Sequence, residues 1–306
     1  MRILAWLGAD AGQFRAFDGR VAEAASSTSA AGAEPESGAD VTITIADVDF
    51  GRLYREHMRA AARAPKPASA WDTRAVDLQH KVHGSRYAQA FIARMDLAGA
   101  STLLDVGCGP GTIGLPLAPR LERVYGLDYS RAMLDALLAN ASQQGLGNVE
   151  ALHRSWDDDW SDVPVCDIVV ASRSMNVQDM AAALARLDSR ARRRVYLTHQ
   201  VGRRQFDPGA IEALGRKLLP PPDYIYIVNI LHGMGIQPRL DYIESDHRLA
   251  PAADFGELAR RIAWSLGELT PGELDRLRAW YERSPPAAIR EAAPPMRWAF
   301  ISWDKS

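Results

Sequence analysis

Residues 103–112 read "LLDVGCGPGT", and this stretch decides the fold. A short apolar run carries an aspartate, Asp105, and ends in three glycines, Gly107, Gly109 and Gly111, with Cys108 and Pro110 between them. A carboxylate beside a buried strand is costly without a partner. Alternating glycines make poor helix and poor strand. A strand that turns through glycines into a helix solves the second problem, because glycine permits φ > 0 and lets backbone approach a ligand closely. The helix N-terminus then offers free N–H groups and the positive end of a dipole. The spacing is G-x-G-x-G, unlike the G-x-G-x-x-G of dinucleotide enzymes, whose loop also sits near the start of the domain.

A second acid sharpens the reading. Asp128 ends the next apolar run, "VYGLD" (124–128), where an acid can accept both hydroxyls of a ribose. Asp105 in the first run makes sense beside a positive charge. A ligand with a ribose and a cationic amino-acid part satisfies both.

Outward from the loop, strand-like runs recur at 102–106, 124–128, 149–152, 166–171 and 195–199, with helical patterns between them. Ser130 is a candidate N-cap for a helix with Met133, Leu134, Leu137 and Leu138 on one face. Met180, Ala183, Leu184 and Leu187 define another. Ala88, Phe91, Ile92 and Met95 give an apolar face within 84–97, ahead of the loop. Alternation of continuous apolar strands with helices predicts an α/β fold, doubly wound and Rossmann-like, with helices on both faces of a mostly parallel sheet. Pro119 should shorten the helix that follows the glycines. In the C-terminal third a strand is expected near 239–245. Two helices are capped by Asp254 with Glu257 and by Thr270-Pro271 with Glu273, and "MRWAFISWD" (296–304) reads as a closing strand.

The motif pair "LLDVGCGPGT" and "VYGLDYS" resembles that of class I S-adenosylmethionine-dependent methyltransferases. "VEALHRSWDD" and "CDIVVASRSM" fall where that family has its third and fourth strands. The resemblance implies seven strands with a reversed last strand, and S-adenosyl-L-methionine as cofactor. It implies that Gly107, Cys108, Gly109 and Gly111 form the cofactor floor. Asp105 would hold the methionine amino group, directly or through water, and Asp128 the ribose, with Tyr129 near the adenine. Ser155, Trp156 and Asp157 would meet the adenine edge, although Ser155 stands where many members carry an acid, and Trp156 reads equally well as core. Ser172 and Arg173 open the loop beside the methyl group. No Asn/Asp-Pro-Pro-Tyr motif stands there, which argues against amino-methylation of bases or glutamine amides by that route. Trp71 and Tyr87 could cover the cofactor carboxylate or simply pack.

His199 and His232 are candidate general bases, and Tyr226 and Tyr242 candidate substrate contacts with Arg173. The 220–250 segment is a candidate substrate cover or ordinary core. An apolar, aromatic cover favours a small or medium organic acceptor. Alternatives are an RNA or protein methyltransferase, and a non-catalytic sensor or scaffold that only binds the cofactor. The chain has 306 residues, 47% hydrophobic, and a net charge of -2, which favours no polyanion partner. The arginines at 190, 192, 193 and 194 read as a solvated helix end and loop, with an RNA patch as the other option.

Cys108 and Cys166, beside buried strands, read as reduced structural thiols and suggest a cytoplasmic protein. No Cys/His cluster has metal-ligand spacing, and no apolar run is long enough for a membrane span. Residues 1–40 include a stretch rich in Ala, Ser, Gly and Glu and read as disordered or extraneous, with a start near Val41. Residues 41–99 read as a helical cover and 100–306 as the methyltransferase domain.

Overall fold

A computed structural model describes residues 44–61, 66–79, 85–202, 207–245, 252–283 and 296–305. The disordered or extraneous reading of residues 1–40 lies outside them. Seven strands form one sheet: β1 (Thr102–Val106), β2 (Arg123–Asp128), β3 (Val149–His153), β4 (Cys166–Ala171), β5 (Ala191–Val201), β6 (Arg239–Ser245) and β7 (Met296–Asp304), in the order β3-β2-β1-β4-β5-β7-β6. The first five are parallel. β7 runs antiparallel between β5 and β6, the reversed last strand expected from the sequence.

Helices cover both faces because the strand residues alternate between two cores. On one face Leu104, Val106, Val169, Val195, Leu197, Ala299 and Ile301 are buried against α1 (Phe50–Ala60), α6 (Met180–Arg190) and α8 (Ile225–Gly233). On the other, Leu103, Val124, Ile168, Val170, Tyr196, Trp298 and Phe300 pack on α3 (Arg86–Ile92). The four apolar positions read for α6 are all buried. In α5 (Arg131–Gln143) three of four are, but Leu138 is 42% exposed, so that stripe is narrower than its sequence pattern. α3 stops at Ile92, and Met95 packs on the same core from beyond its end.

The helix after the glycines is short, as expected from the sequence, whereas the start of β5 differs from that reading. α4 (Gly114–Leu117) has four residues and passes into a 3-10 turn at Ala118–Arg120, as Pro119 requires. β5 begins at Ala191, so Arg192, Arg193 and Arg194 belong to a strand rather than a loop. Arg194 pairs with Asp96 and Asp304, and Arg192 and Arg193 face Asp167. That neutralisation weakens the RNA-patch option.

Three further helices, α7 (Pro208–Leu214), α9 (Phe255–Leu266) and α10 (Pro271–Arg283), share a small core of their own around Leu214, Ile262 and Leu277. Both cap motifs form: Asp254 accepts the Glu257 N–H at 2.8 Å, and Thr270 and Glu273 bond reciprocally. The chain leaves the sheet for these helices after Val201 and Ser245 and returns at Met296. Strand register places all three at one end of the sheet. α2 (Ala68–Gln79) meets this helical group through Trp71, whose ring lies edge-on to Trp264 at 5.4 Å.

Ser130 caps α5, accepting the Met133 N–H at 3.2 Å, while its hydroxyl donates to Asp72 of α2 at 2.5 Å. Ser130→Ala removes both bonds, and a loss of about 1–2 kcal/mol is expected in urea unfolding.

Candidate active site

The glycine loop runs from β1 to α4 at the carboxyl ends of the parallel strands, where open α/β sheets bind ligands. Its start is tied to β2: the Gly107 and Cys108 N–H groups both donate to the Leu127 carbonyl, at 2.7 and 3.1 Å. Gly107 has φ +68°, and a Cβ there would lie 2.3 Å from the Ser174 Cβ. Gly109 has φ +53°, and a Cβ there would meet nothing nearer than the Met133 sulfur at 3.9 Å. Gly107 therefore lets the loop after β4 pack close, while a Cβ at Gly109 would make only ordinary contact with the Met133 sulfur. Gly111 packs on Leu115 and Leu137, a structural duty rather than an open floor. Cys108 is likewise buried, with its thiol pushed well up by burial.

The helix end contributes less than the sequence suggested. α4 is four residues long, and its first amide, Gly114 N–H, donates to Asp105 at 3.1 Å. The acids contribute more. Asp105 is 2% exposed and Asp128 6%. Burial pushes the Asp105 carboxyl up to about 7; the Gly114 amide opposes this and the charge of Asp128 adds to it. Asp128 is also raised by burial, against amides from Ser130 and Gly109, each at 2.9 Å. Two buried carboxylates held chiefly by backbone amides suit a ligand that brings an ammonium and a diol.

The sign of the pH dependence follows. An unfolded aspartate releases its proton near 3.8, whereas folded Asp105 keeps it to about 7. Its contribution to the stability of the free protein falls as pH rises through that window. An ammonium bound beside Asp105 would favour the carboxylate, and its binding would then release a proton there. S-adenosylmethionine affinity should rise roughly tenfold from about pH 5.5 to 7.5. Calorimetry in two buffers of different ionisation heat checks this, and Asp105→Asn should flatten the profile.

Tyr129 donates its hydroxyl to the Lys66 carbonyl at 2.9 Å, which brings the segment before α2 over the end of β2. After β3, Ser155 donates its N–H to Asp158 at 2.7 Å and accepts the Asp157 N–H on its hydroxyl. Trp156 stacks on Trp160 at 5.4 Å. Asp157 is exposed, and it is Asp158, unmarked in the sequence reading, that shapes this turn.

Past β4, Tyr87 organises a network. Its hydroxyl bonds Thr198 at 2.6 Å and Ser172 at 2.8 Å, and the Arg173 guanidinium lies 4.3 Å over its ring. Ser174 donates to the Val106 carbonyl at 2.7 Å. Thr198 and Ser174 carry no sequence signal of their own, and only the sheet order brings them here.

On the opposite face, His199 and Tyr242 share one row, each in register with Ala299 of β7. Tyr242 bonds the Tyr224 hydroxyl at 2.7 Å. Asp223 accepts the Gly202 N–H at 3.2 Å, holding the start of α8 at the carboxyl end of β5. Tyr226 turns toward α1, bonding His57 at 3.1 Å. His232 is not brought to this group. It is exposed near the far end of α8, just before β6 starts level with the lower half of β5. The expected cover over 220–250 is likewise divided: β6 is part of the sheet and Ile227, Ile230 and Leu231 are core, while α7, α9 and α10 stand at the carboxyl end instead.

A methyltransferase-domain model matches residues 103–193. The fold, the glycine loop and the two acids define one class: the chain belongs to the class I S-adenosylmethionine-dependent methyltransferases. S-adenosylmethionine is its cofactor. An uncharacterized protein of Haemophilus influenzae is 37% identical to it over 264 residues, 86% of this chain and 98% of that protein. The tRNA (uracil-5-)-methyltransferase homolog A of Mus musculus is 48% identical over 54 residues, 18% of this chain and 9% of that protein. Among solved structures, coclaurine N-methyltransferase bound to N-methylheliamine and SAH is 12% identical. It covers 85% of this chain and 96% of its own, with a TM-score of 0.48. Among the described residues no helix is long and apolar enough to cross a membrane.

Proposed function

We propose that the chain transfers the methyl group of S-adenosylmethionine to a small or medium-sized organic acceptor by in-line displacement, in the cytoplasm. The observation that carries this reading is the mouth beside β5. One face of the sheet there carries the hydrogen-bonded pair Tyr224 and Tyr242, and the chain departs from that end of the sheet for α7, α9 and α10. An aromatic lining of this kind suits a small organic molecule. Matches to RNA enzymes such as the mouse protein span a fifth or less of those relatives' length and support the shared domain only.

When bound, the cofactor supplies an already activated methyl group, so the residues here need to orient the acceptor and exclude water. Asp105, Asp128 and the glycine loop hold the nucleoside and the amino acid. Helices α1 to α3, within 41–99, and the group of α7, α9 and α10 close the site. His199 is the base. Its Nδ1–H donates to the Gln200 carbonyl at 3.1 Å, which leaves the Nε2 lone pair without a hydrogen-bond partner among the described residues. Burial holds its pKa below the ordinary 6.5, with the Gln200 carbonyl and Asp223 opposing, so the ring is neutral at pH 7 and able to take a proton.

The test is incorporation of labelled methyl groups across a panel of phenols, amines and organic acids. Turnover should persist between about 50 and 300 mM salt, whereas an RNA acceptor would show a steep loss. For a hydroxyl acceptor, His199→Gln should lower kcat by about 100-fold or more with S-adenosylhomocysteine affinity unchanged. The wild-type rate should level off above pH 6.5. A His199→Gln enzyme with full kcat would remove the base assignment.

A further inference from the structure

Arg173 is, among the described residues, the one non-glycine position in the left-handed region, with φ 58°. That conformation costs an arginine about 1–2 kcal/mol and persists only where the surroundings dictate it. Here they do. The Arg173 N–H donates to the Thr198 hydroxyl oxygen at 3.1 Å, and the same oxygen bonds the Tyr87 hydroxyl, which also bonds Ser172. The guanidinium carbon then lies 4.3 Å over the Tyr87 ring. Tyr87 is itself fixed in the core, 2% exposed, against Phe91 and Trp298. Arg173 is exposed, and no carboxylate among the described residues lies within ion-pair distance of it. Many arginines of this chain, Arg55, Arg94, Arg154 and Arg194 among them, have such a partner.

A guanidinium stacked on a ring keeps its plane fixed and its N–H edges outward, the arrangement that receives a carboxylate or phosphate through two parallel bonds. Its location says whose anion that is. Arg173 follows β4 and is bonded to β5 through Thr198, whereas the glycine loop and Asp128 follow β1 and β2 on the other flank of β4. The guanidinium is therefore anchored on the half of the mouth away from the nucleoside.

Resting on the methyl-transfer reading above, we propose that Arg173 is a preset anchor for an oxyanion of the acceptor. The acceptor class is then an organic molecule bearing a carboxylate or phosphate, held so that its nucleophilic atom faces the transferred methyl group. Strain in the backbone and stacking on Tyr87 fix the anchor before the acceptor arrives, which lowers the ordering cost of binding.

The test uses the full chain and three proteins: wild type, Arg173→Gln and Arg173→Lys, each checked for native circular dichroism and melting temperature. S-adenosylhomocysteine-saturated protein is titrated with sodium benzoate and with phenyl phosphate. One or both should bind wild type, at least tenfold more weakly to Arg173→Gln, and in between for Arg173→Lys, which keeps the charge but loses the fork. Affinity for S-adenosylhomocysteine should stay within about twofold in all three. Two results overturn the proposal. In one, neither probe binds wild type, or binding is indifferent to Arg173→Gln. In the other, Arg173→Gln weakens S-adenosylhomocysteine tenfold while 5′-methylthioadenosine, which lacks the amino-acid carboxylate, binds as before; the guanidinium then serves the cofactor. Wild-type protein that binds no S-adenosylhomocysteine would instead bring down the transfer reading, and this proposal with it.

Discussion

Asp128→Ala should lower the affinity for S-adenosylmethionine and S-adenosylhomocysteine by about 100-fold or more. Two losses combine. The proposed ribose partner disappears, and hydrogen bonds to a charged group are worth about 1.5–3 kcal/mol each. The Gly109 and Ser130 N–H groups, both held by this carboxylate at 2.9 Å, are released together, so the open stretch of the glycine loop loses its brace. Asp128→Asn retains one acceptor oxygen and a similar shape, and a loss of about tenfold is expected. Titration calorimetry on the three proteins measures both steps. Equal binding by Asp128→Ala and wild type would show that the ribose lies elsewhere.

Gly107→Ala should destabilise the fold by about 3 kcal/mol or more, seen as a lower midpoint in urea. The new methyl carbon would start 2.3 Å from the Ser174 Cβ, an atom one bond from backbone that cannot swing away. The φ of +68° adds about 1–2 kcal/mol for any residue with a side chain. Ser174→Gly in the same protein removes the obstacle but leaves the backbone strain, so the double variant should regain more than half of the loss. If Gly107→Ala were as stable as wild type, the close packing of the two loops would be wrong.

The parts legible in the sequence are those set by local pattern. Continuous apolar runs marked the parallel strands, because strands buried on both faces have no polar side to show. Glycines after β1 and Asp128 at the end of β2 marked the turn on which the proposed cofactor site rests. Ser130, Asp254 and Thr270 marked helix starts, because a cap is a contact within four residues. What stayed hidden depends on partners distant in the chain. Arg192 to Arg194 look like a solvated run until Asp167 and Asp304 arrive beside them. Leu138 fits the apolar stripe of α5 by spacing but faces outward. Tyr87 and Thr198, 111 positions apart, meet only because β5 lies next to β4 and α3 packs on that face. The helical group of α7, α9 and α10 was readable as helices, but its assembly from two separate insertions was not.

The place of β7 in the sheet bears on how the chain is made. Among the described residues β6 hydrogen-bonds to no strand except β7, and the outer edge of β5 is closed by β7 alone. During synthesis the nascent polypeptide therefore carries two bare β-edges until residues 296–304 leave the ribosome, and bare edges invite pairing between molecules. Slow translation between β6 and β7 would prolong that exposure, so chaperone demand and inclusion-body formation should track the delivery of this one segment rather than the stability of the folded protein.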